Sequence, residues 1–412
     1  MRPSIVKPFF SAILLAALTA SCGQSTNAEP AAPATPTDGA ATLAPGGGGG
    51  DKSLQTTLAD PAPVGEQGLN IEAIAEGLSN PWAMTFLPDG DLLVAERPGR
   101  VRLIRNGAMS SNPVPGAPEV LAYNQGGLFD ILPHPDFGEN RVIFIAYAHG
   151  TQESNALRVA RATFEDDEIR NLTPIYDAIP QKDTGHHFGG RLVWGPDDKL
   201  YVTIGEGSRY KEKAQDMTSS FGAVVRLNED GSIPDDNPDF GDGAAPGLYT
   251  KGHRNPQGFA YDVERDIFWA NEHGPRGGDE INIIEPGRNY GWPAASYGID
   301  YNGALITPFT EYEGATQPVH YWTPSIAPSG LAVYRGDLFE AWNGDLLVGA
   351  MAGSALHRLI MDGDDIVGEE RYLVGARIRD VRVGPDGAIY VATEIRNGDP
   401  DGKILRVTPR QN

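Results

Sequence analysis

Residues Pro81–Ala95 read PWAMTFLPDGDLLVA: an apolar run, a Pro-Asp-Gly turn and a second apolar run. Proline presets φ at the first turn position, and aspartate and glycine tolerate the positions that follow, so the local outcome is strand, tight turn, strand. The same plan recurs at Arg191–Ile204 (RLVWGPDDKLYVTI) and Val381–Ala392 (VRVGPDGAIYVA), with weaker copies at Gly127–Tyr147, Gly258–Ala270 and Gly330–Gly349. Almost no stretch sustains helical periodicity over the ten or so residues a helix needs. A lone hairpin is marginal. About six of them, each extended to four strands and packed around an axis, cover one another's faces and leave only short edges. The chain therefore reads as all-β, a six-bladed β-propeller of four-stranded antiparallel blades over residues 67–412. A pair of β-sandwiches is the alternative, but the turn recurs from one end of this region to the other without a linker-like break, which favours one domain.

Upstream of the repeat the composition changes. Arg2 and Lys7 precede an apolar run, Phe9–Leu18, and then Ala20, Ser21 and Cys22. The run is about ten residues, against the roughly twenty needed to span a bilayer, so residues 1–22 read as a cleaved signal peptide. Cys22 is the one cysteine of the chain, which excludes an intrachain disulfide. Its position after small residues resembles a bacterial lipobox, although Thr19 stands where such boxes usually carry leucine; export without a lipid is the other reading. Residues 23–66, rich in Ala, Pro and Thr with an unbroken Gly46–Gly50, bury too little to offset ordering entropy and read as a flexible tether. These features place the protein in the periplasm or at the cell surface, held to a membrane only through the N-terminal lipid. The net charge of −22 over 412 residues argues against a nucleic-acid partner, which needs a basic footprint, and suits solubility and cation binding.

In a propeller, loops distant in sequence gather at the ends of a central channel, so chemistry is expected there. Gly185-His186-His187-Phe188-Gly189-Gly190-Arg191 precedes a strand. Adjacent side chains on extended backbone point to opposite faces, so at most one of the two imidazoles enters the channel, where it can take a hydroxyl proton near neutral pH. Taken alone, the pair equally fits a turn. Gly252-His253-Arg254-Asn255-Pro256-Gln257-Gly258 offers several donors from one rigid loop to a planar, carbonyl-rich ligand, or is a plain surface loop. Asn271 to Glu280 (NEHGPRGGDE), followed by Asn289-Tyr290-Gly291-Trp292-Pro293 and Asp300, combines exposed main-chain carbonyls with carboxylates, as calcium prefers. The folded region has no thiol, and its histidines lack zinc-type spacing. Arg377-Ile378-Arg379 places two guanidiniums on one face of a strand, able to grip carboxylates or simply to face water.

Taken together and in order, GHHFGGRL, GHRNPQG, EHGPRGGDEIN, NYGWP, PSIAPSG and RIRDVRVGPDG resemble the soluble, PQQ-dependent glucose and aldose sugar dehydrogenases over roughly residues 67–410. The resemblance implies oxidation of the anomeric hydroxyl of an aldose to a lactone, with PQQ and calcium as cofactors and a cytochrome or quinone as electron acceptor. By it, His187 corresponds to the general base and Arg254 to the residue polarising the accepting carbonyl, with Asn255 and Gln257 beside it. Arg377 and Arg379 correspond to the pair on the cofactor's carboxylates, and Glu206 to an acidic residue of the site. The main-chain oxygens of Gly274 and Pro275 correspond to the calcium that meets PQQ. Glu280, the backbone of Tyr290 and Asp300 correspond to a second, structural calcium site, with Ser296 and Gly298 as further metal candidates. One departure stands out: Ala352 occupies about the position of a cofactor-binding lysine, and Lys211 is the nearby cation that can replace it. A calcium-dependent propeller lactonase and a non-catalytic carbohydrate-binding propeller are the alternative functions.

Overall fold

The computed structural model describes residues 62–395 and 401–410; the expected signal peptide, Cys22 and nearly all of the tether lie outside them. Within the described residues the chain forms six four-stranded antiparallel sheets. Five are built from consecutive segments. The first blade comprises Pro81–Phe86, Leu92–Glu96, Arg100–Arg105 and Ala108–Met109, and the second Leu128–Pro133, Val142–Gly150, Asn155–Glu165 and Glu168–Asp177. The third comprises Gly189–Trp194, Leu200–Ile204, Ala223–Leu227 and Leu248–Lys251, and the fourth Pro256–Asp262, Ile267–Glu272, Asp279–Ile284 and His320–Trp322. The fifth runs Pro328–Val333, Leu346–Ala350, Ala355–Asp362 and Asp365–Leu373. The sixth takes Arg377–Val383, Ile389–Glu394 and Gly402–Pro409 from the end of the chain and its outermost strand, Leu69–Leu78, from the beginning. Leu69 pairs with Pro409 and Leu78 with Gly402. This is the six-bladed propeller expected, and each of the six hairpins read from the sequence is the inner pair of strands of one blade. Upstream of the closing strand, Gly65 N–H already donates to the Arg371 carbonyl at 3.0 Å, so paired backbone begins slightly before residue 67.

The Pro-Asp-Gly turns fold for local reasons. Leu87 N–H donates to the Asp91 carbonyl at 2.8 Å, Asp89 Oδ1 accepts the Asp91 N–H at 3.2 Å, and Gly90 takes a φ of +89°. Glycine reaches this region at no steric cost. In the third blade Asp198 holds the equivalent place with φ +57°, a conformation that a short polar side chain tolerates. Both faces of a blade are covered by its neighbours, so second strands such as Leu200–Ile204 and Leu346–Ala350 are buried at every position. Their sequences are accordingly near-continuous apolar runs rather than alternating ones. Aromatic rings fill the seams between blades: Trp82 lies 5.2 Å from Phe129, Phe129 5.4 Å from Phe188, Tyr201 4.5 Å from Phe268 and Phe86 4.8 Å from Tyr390. No helix among the described residues is long and apolar enough to cross a membrane.

Near the axis the inner strands bring charges together. Arg191 lies 3.2 Å from Asp380 and 3.6 Å from Asp130, and its Nε donates to the Gln257 carbonyl at 3.0 Å. Arg191 also stacks over Trp82 at 4.5 Å. This buried ionic group ties the second, third, fourth and sixth blades to one another.

Candidate active site

The N-terminal ends of the inner strands and the turns that leave the second strands share one mouth of the channel. There they enclose a cavity of about 580 Å³ whose wall is drawn from the first, fourth, fifth and sixth blades and from the connections that lead into the second and third. His187, Arg254, Asn255, Gln257, Arg377 and Arg379, singled out from separate motifs, all line it. So do Arg97, Gln125, Met351 and Glu394, which the motifs did not indicate, and His273, which lies within a quoted motif but was given no role there.

His187 rather than His186 faces the cavity. The reason is not strand alternation, because His187 has a φ of +48° and lies in the left-handed region. For a residue with a Cβ such a conformation costs about 1–3 kcal/mol and must be imposed by its surroundings. Its N–H donates to Gln125 Oε1 at 2.9 Å, and its carbonyl accepts from Gly207 N–H at 3.2 Å. Its Nδ1 lies 3.0 Å from Glu206 Oε1. A carboxylate only accepts, so Nδ1 carries the proton and Nε2 is left with its lone pair. Burial lowers the His187 pKa and Arg254 adds to this, while Glu206 opposes it. The result is a neutral imidazole at neutral pH. Gly205 makes room for this pair: a Cβ there would lie 2.4 Å from the His187 carbonyl oxygen. Glu206 is almost fully buried behind His187 and is not part of the cavity wall, so it acts on the imidazole rather than on a ligand.

Arg254 is held by its backbone N–H, which donates to Glu272 Oε2 at 2.5 Å, and by Nη1, which donates to the His273 carbonyl at 3.0 Å. Its Nε is buried and has no partner among the described residues. Gln257 Oε1 accepts from Arg379 Nη1 at 2.9 Å and from His273 Nε2 at 3.0 Å. Burial, then Arg379 and Arg254, push His273 well below the ordinary histidine range. Asn255 Oδ1 accepts the Gly189 N–H at 3.1 Å, bracing the turn after His187. Glu394 sits between Arg377 (3.1 Å) and Arg379 (2.9 Å). Burial would raise its pKa, but the two guanidiniums outweigh this and hold it below the usual value.

A pattern across blades accounts for several of these contacts. The second strand ends in, or is followed within two residues by, a glutamate in four blades: Glu96, Glu206, Glu272 and Glu394. Each grips the entry to the inner strand of its own blade, through Ser79 N–H, the His187 ring, Arg254 N–H, and Arg377 with Arg379, respectively. Acid at this fixed place in the repeat is the signal by which Glu394 could have been found. Arg97 and Gln125 stand alone in ordinary turns, and nothing in the sequence marks them.

Lys211 opens a short 3₁₀ turn, Lys211–Gln215, and lies outside the cavity wall, so it does not stand in for the lysine replaced at Ala352. Next to Ala352, the Met351 carbonyl accepts from Arg377 Nη1 at 3.0 Å. The additional cation of the wall is Arg97. Four guanidiniums and one carboxylate, Glu394, leave the wall with three positive charges, matching in number the carboxylates of a tricarboxylate such as PQQ. With the unpartnered Arg254 Nε, this fits an anionic, carbonyl-rich ligand.

The calcium candidates are placed as follows. Gly274 and Pro275 follow His273 of the wall, and Gly274 N–H donates to Asp279 Oδ1 at 2.8 Å. Glu280 faces Glu272, with Asn282 Nδ2 donating to both at 3.1 Å and Asn282 Oδ1 buried without a partner. Burial and then Glu272 push Glu280 well above the carboxylate range. An acidic, oxygen-rich pocket with an orphaned amide oxygen suits a hard divalent cation. Tyr290 stacks on His253 at 4.5 Å, Ser296 Oγ accepts the Gly298 N–H at 3.2 Å, and Asp300 Oδ1 accepts the Asn302 N–H at 3.2 Å. The Ser296 and Asp300 side chains are thus engaged within their own loops, the Tyr290 ring packs across to another, and no cluster of three or more acidic, histidine or cysteine side chains able to hold a metal is present among the described residues.

Known proteins share this architecture. The aldose sugar dehydrogenase YliI of Escherichia coli is 40% identical over 352 residues, covering 83% of this chain and 93% of that protein. The crystal structure of the soluble aldose sugar dehydrogenase of Escherichia coli in its apo form superposes with a TM-score of 0.79 at 39% identity, over 83% of this chain and all of that one (100%). The PQQ-bound aldose sugar dehydrogenase of Streptomyces coelicolor superposes with a TM-score of 0.68 at 27% identity, covering 84% of this chain and 100% of that one. Residues 78–406, which contain all six inner hairpins and the whole described cavity, match the glucose/sorbosone dehydrogenase family, and the chain belongs to that family.

Proposed function

We propose that this sugar dehydrogenase oxidises the anomeric hydroxyl of an aldose to the lactone with PQQ as its electron acceptor. The observation that carries the proposal is the convergence on one cavity of a neutral His187, backed by Glu206, with four guanidiniums set to receive an anion. PQQ, when bound, would supply a quinone able to take up the hydride leaving the anomeric carbon. Arg377, Arg379 and Arg97 would hold its carboxylates. Arg254, anchored through Nη1, would polarise the accepting carbonyl from its free Nε edge, with Asn255 and Gln257 as flanking amides. His187 Nε2 would take the hydroxyl proton, and Glu206 would stabilise the imidazolium that forms. The cavity wall contributes binding and charge; the acid–base step belongs to His187.

Calcium would meet PQQ on the main-chain oxygens of Gly274 and Pro275, with a second ion near Glu280, Tyr290, Ser296, Gly298 and Asp300. The sequence of residues 1–22 supports export, with a lipid on Cys22 anchoring the enzyme at a periplasmic or outer surface, and electrons would leave through a cytochrome or quinone. Titration of the purified protein with PQQ in calcium, followed by cofactor absorbance and by bleaching of a redox dye on adding an aldose, tests the proposal. Saturable uptake with turnover is expected, and Arg254→Ala is expected to abolish it. Hydrolysis of a lactone without PQQ, unaffected by Arg254→Ala, would reject the proposal in favour of a propeller lactonase.

A further inference from the structure

We propose that Lys182 is a positioning residue of this site: its ammonium pins the peptide plane that leads into His187 and so keeps the imidazole on Glu206. The inference rests on the role given to His187 above. Lys182 is 3% exposed. Its Nζ donates to the Thr184 carbonyl at 2.7 Å and to the His186 carbonyl at 2.9 Å, and lies 3.3 Å from the centroid of the Phe188 ring. No carboxylate bonds to it among the described residues. Burial against carbonyls and a ring alone pushes the Lys182 pKa down to about 7, and charged or neutral its Nζ hydrogens donate to both carbonyls, contacts that a residue needed only for packing would not make.

The geometry shows what these bonds hold. The His186 carbonyl and the His187 N–H are opposite ends of one rigid peptide plane. Lys182 grips the first, and Gln125 Oε1 accepts from the second at 2.9 Å. The following plane is tied by Gly207 N–H to the His187 carbonyl at 3.2 Å, and Thr184 Oγ1 donates to the Gly207 carbonyl at 2.7 Å, closing the loop. With both flanking planes fixed, His187 has no freedom to leave its φ of +48°. Freed at either plane, a residue with a Cβ relaxes toward negative φ, and its ring turns away from Glu206.

The test is Lys182→Met, which keeps the aliphatic chain and removes the ammonium. Nitrogen-15 spectra of the imidazoles, recorded on protein without added cofactor or sugar, report the His187 tautomer and its titration. Wild type is expected to show the Nδ1–H form, titrating below the ordinary histidine value. Lys182→Met is expected to show mixed tautomers and a pKa moved up toward that value as the ring meets water. In turnover with PQQ and an aldose, kcat is expected to fall about tenfold or more with KM little changed, and the acid limb of the pH profile to move to higher pH. An unaltered His187 signal in folded Lys182→Met overturns the proposal. Should that variant not fold, Gln125→Leu releases the other end of the same plane and must give the same imidazole signature; its absence overturns the proposal equally. Because the spectra need neither cofactor nor sugar, a wild-type protein that fails to turn over would sink the dehydrogenase reading and leave this measurement standing.

Discussion

Glu206→Gln changes one atom and tests the logic of the base. Glu206 receives two donors: His187 Nδ1 at 3.0 Å on Oε1, and the Ser208 N–H on Oε2. A glutamine has only one oxygen to offer. The Ser208 backbone N–H cannot accept, so the amide oxygen must stay with it, and the amide NH2 then faces His187 Nδ1. An NH2 donates, so Nδ1 becomes the acceptor and the imidazole proton moves to Nε2, the nitrogen that must be unprotonated to take the sugar's proton. Two magnitudes follow. Loss of a charge-assisted hydrogen bond of about 1.5–3 kcal/mol gives a floor of roughly ten- to 150-fold in kcat. A fully inverted tautomer raises the loss toward about 10⁴, the scale known for an aspartate-to-asparagine change behind a catalytic histidine. Glu206 is not in the cavity wall, so PQQ uptake should be unaffected. The assay is steady-state oxidation of an aldose by protein saturated with PQQ and calcium, beside an absorbance titration of the cofactor and Glu206→Asp as the carboxylate-retaining control. A Glu206→Gln enzyme that binds PQQ normally and turns over within about threefold of wild type would refute the assigned direction of the His187–Glu206 bond.

The clamp around Glu394 has a pH signature. Its folded pKa lies below the ordinary 4.5, so the unfolded chain binds the proton more tightly; the stabilisation is fully present above that value and is lost as pH falls through the lower folded value. Glu394→Gln should therefore lower the thermal midpoint at pH 7, and the difference from wild type should shrink as pH is taken below 4.5; a gap constant with pH would contradict this. Gly205→Ala puts a Cβ 2.4 Å from the His187 carbonyl and 2.8 Å from Asn255 Oδ1. Overpacking of this kind costs about 1–3 kcal/mol, and the predicted outcome is a lower melting temperature together with reduced kcat, a Gly205→Ala protein of wild-type stability and rate being the contrary result.

Most of the architecture was legible because its signal is local. Pro88-Asp89-Gly90 and Pro385-Asp386-Gly387 need only their own residues to turn, and one such hairpin per blade counts the blades. Those turns lie at the end of the inner strands away from the cavity, so the feature easiest to read marks the mouth opposite the chemistry. The third and fourth strands of each blade carry weaker turns, and the pairing of Leu69–Leu78 with Gly402–Pro409 has no local signal. At the site, the residues found from sequence came in runs, as Arg254-Asn255-Pro256-Gln257 does. Arg97 and Gln125 were missed because each reaches the cavity singly, through blade geometry. Extended backbone would admit at most one of His186 and His187 to the channel, and the family resemblance points to His187; that residue does face the cavity, but from a left-handed conformation rather than an extended one.

Closing the sixth blade with the first strand has a cost in time. The Asn70 side chain bonds a carbonyl 339 positions further along the chain, and at a synthesis rate of about 5–20 residues per second its partner emerges tens of seconds later. Throughout that interval the strand Leu69–Leu78 waits unpaired while its complement is not yet made. Whatever holds such a chain soluble must act on that edge until Gly402–Pro409 has been made, and closure of the ring waits on that strand.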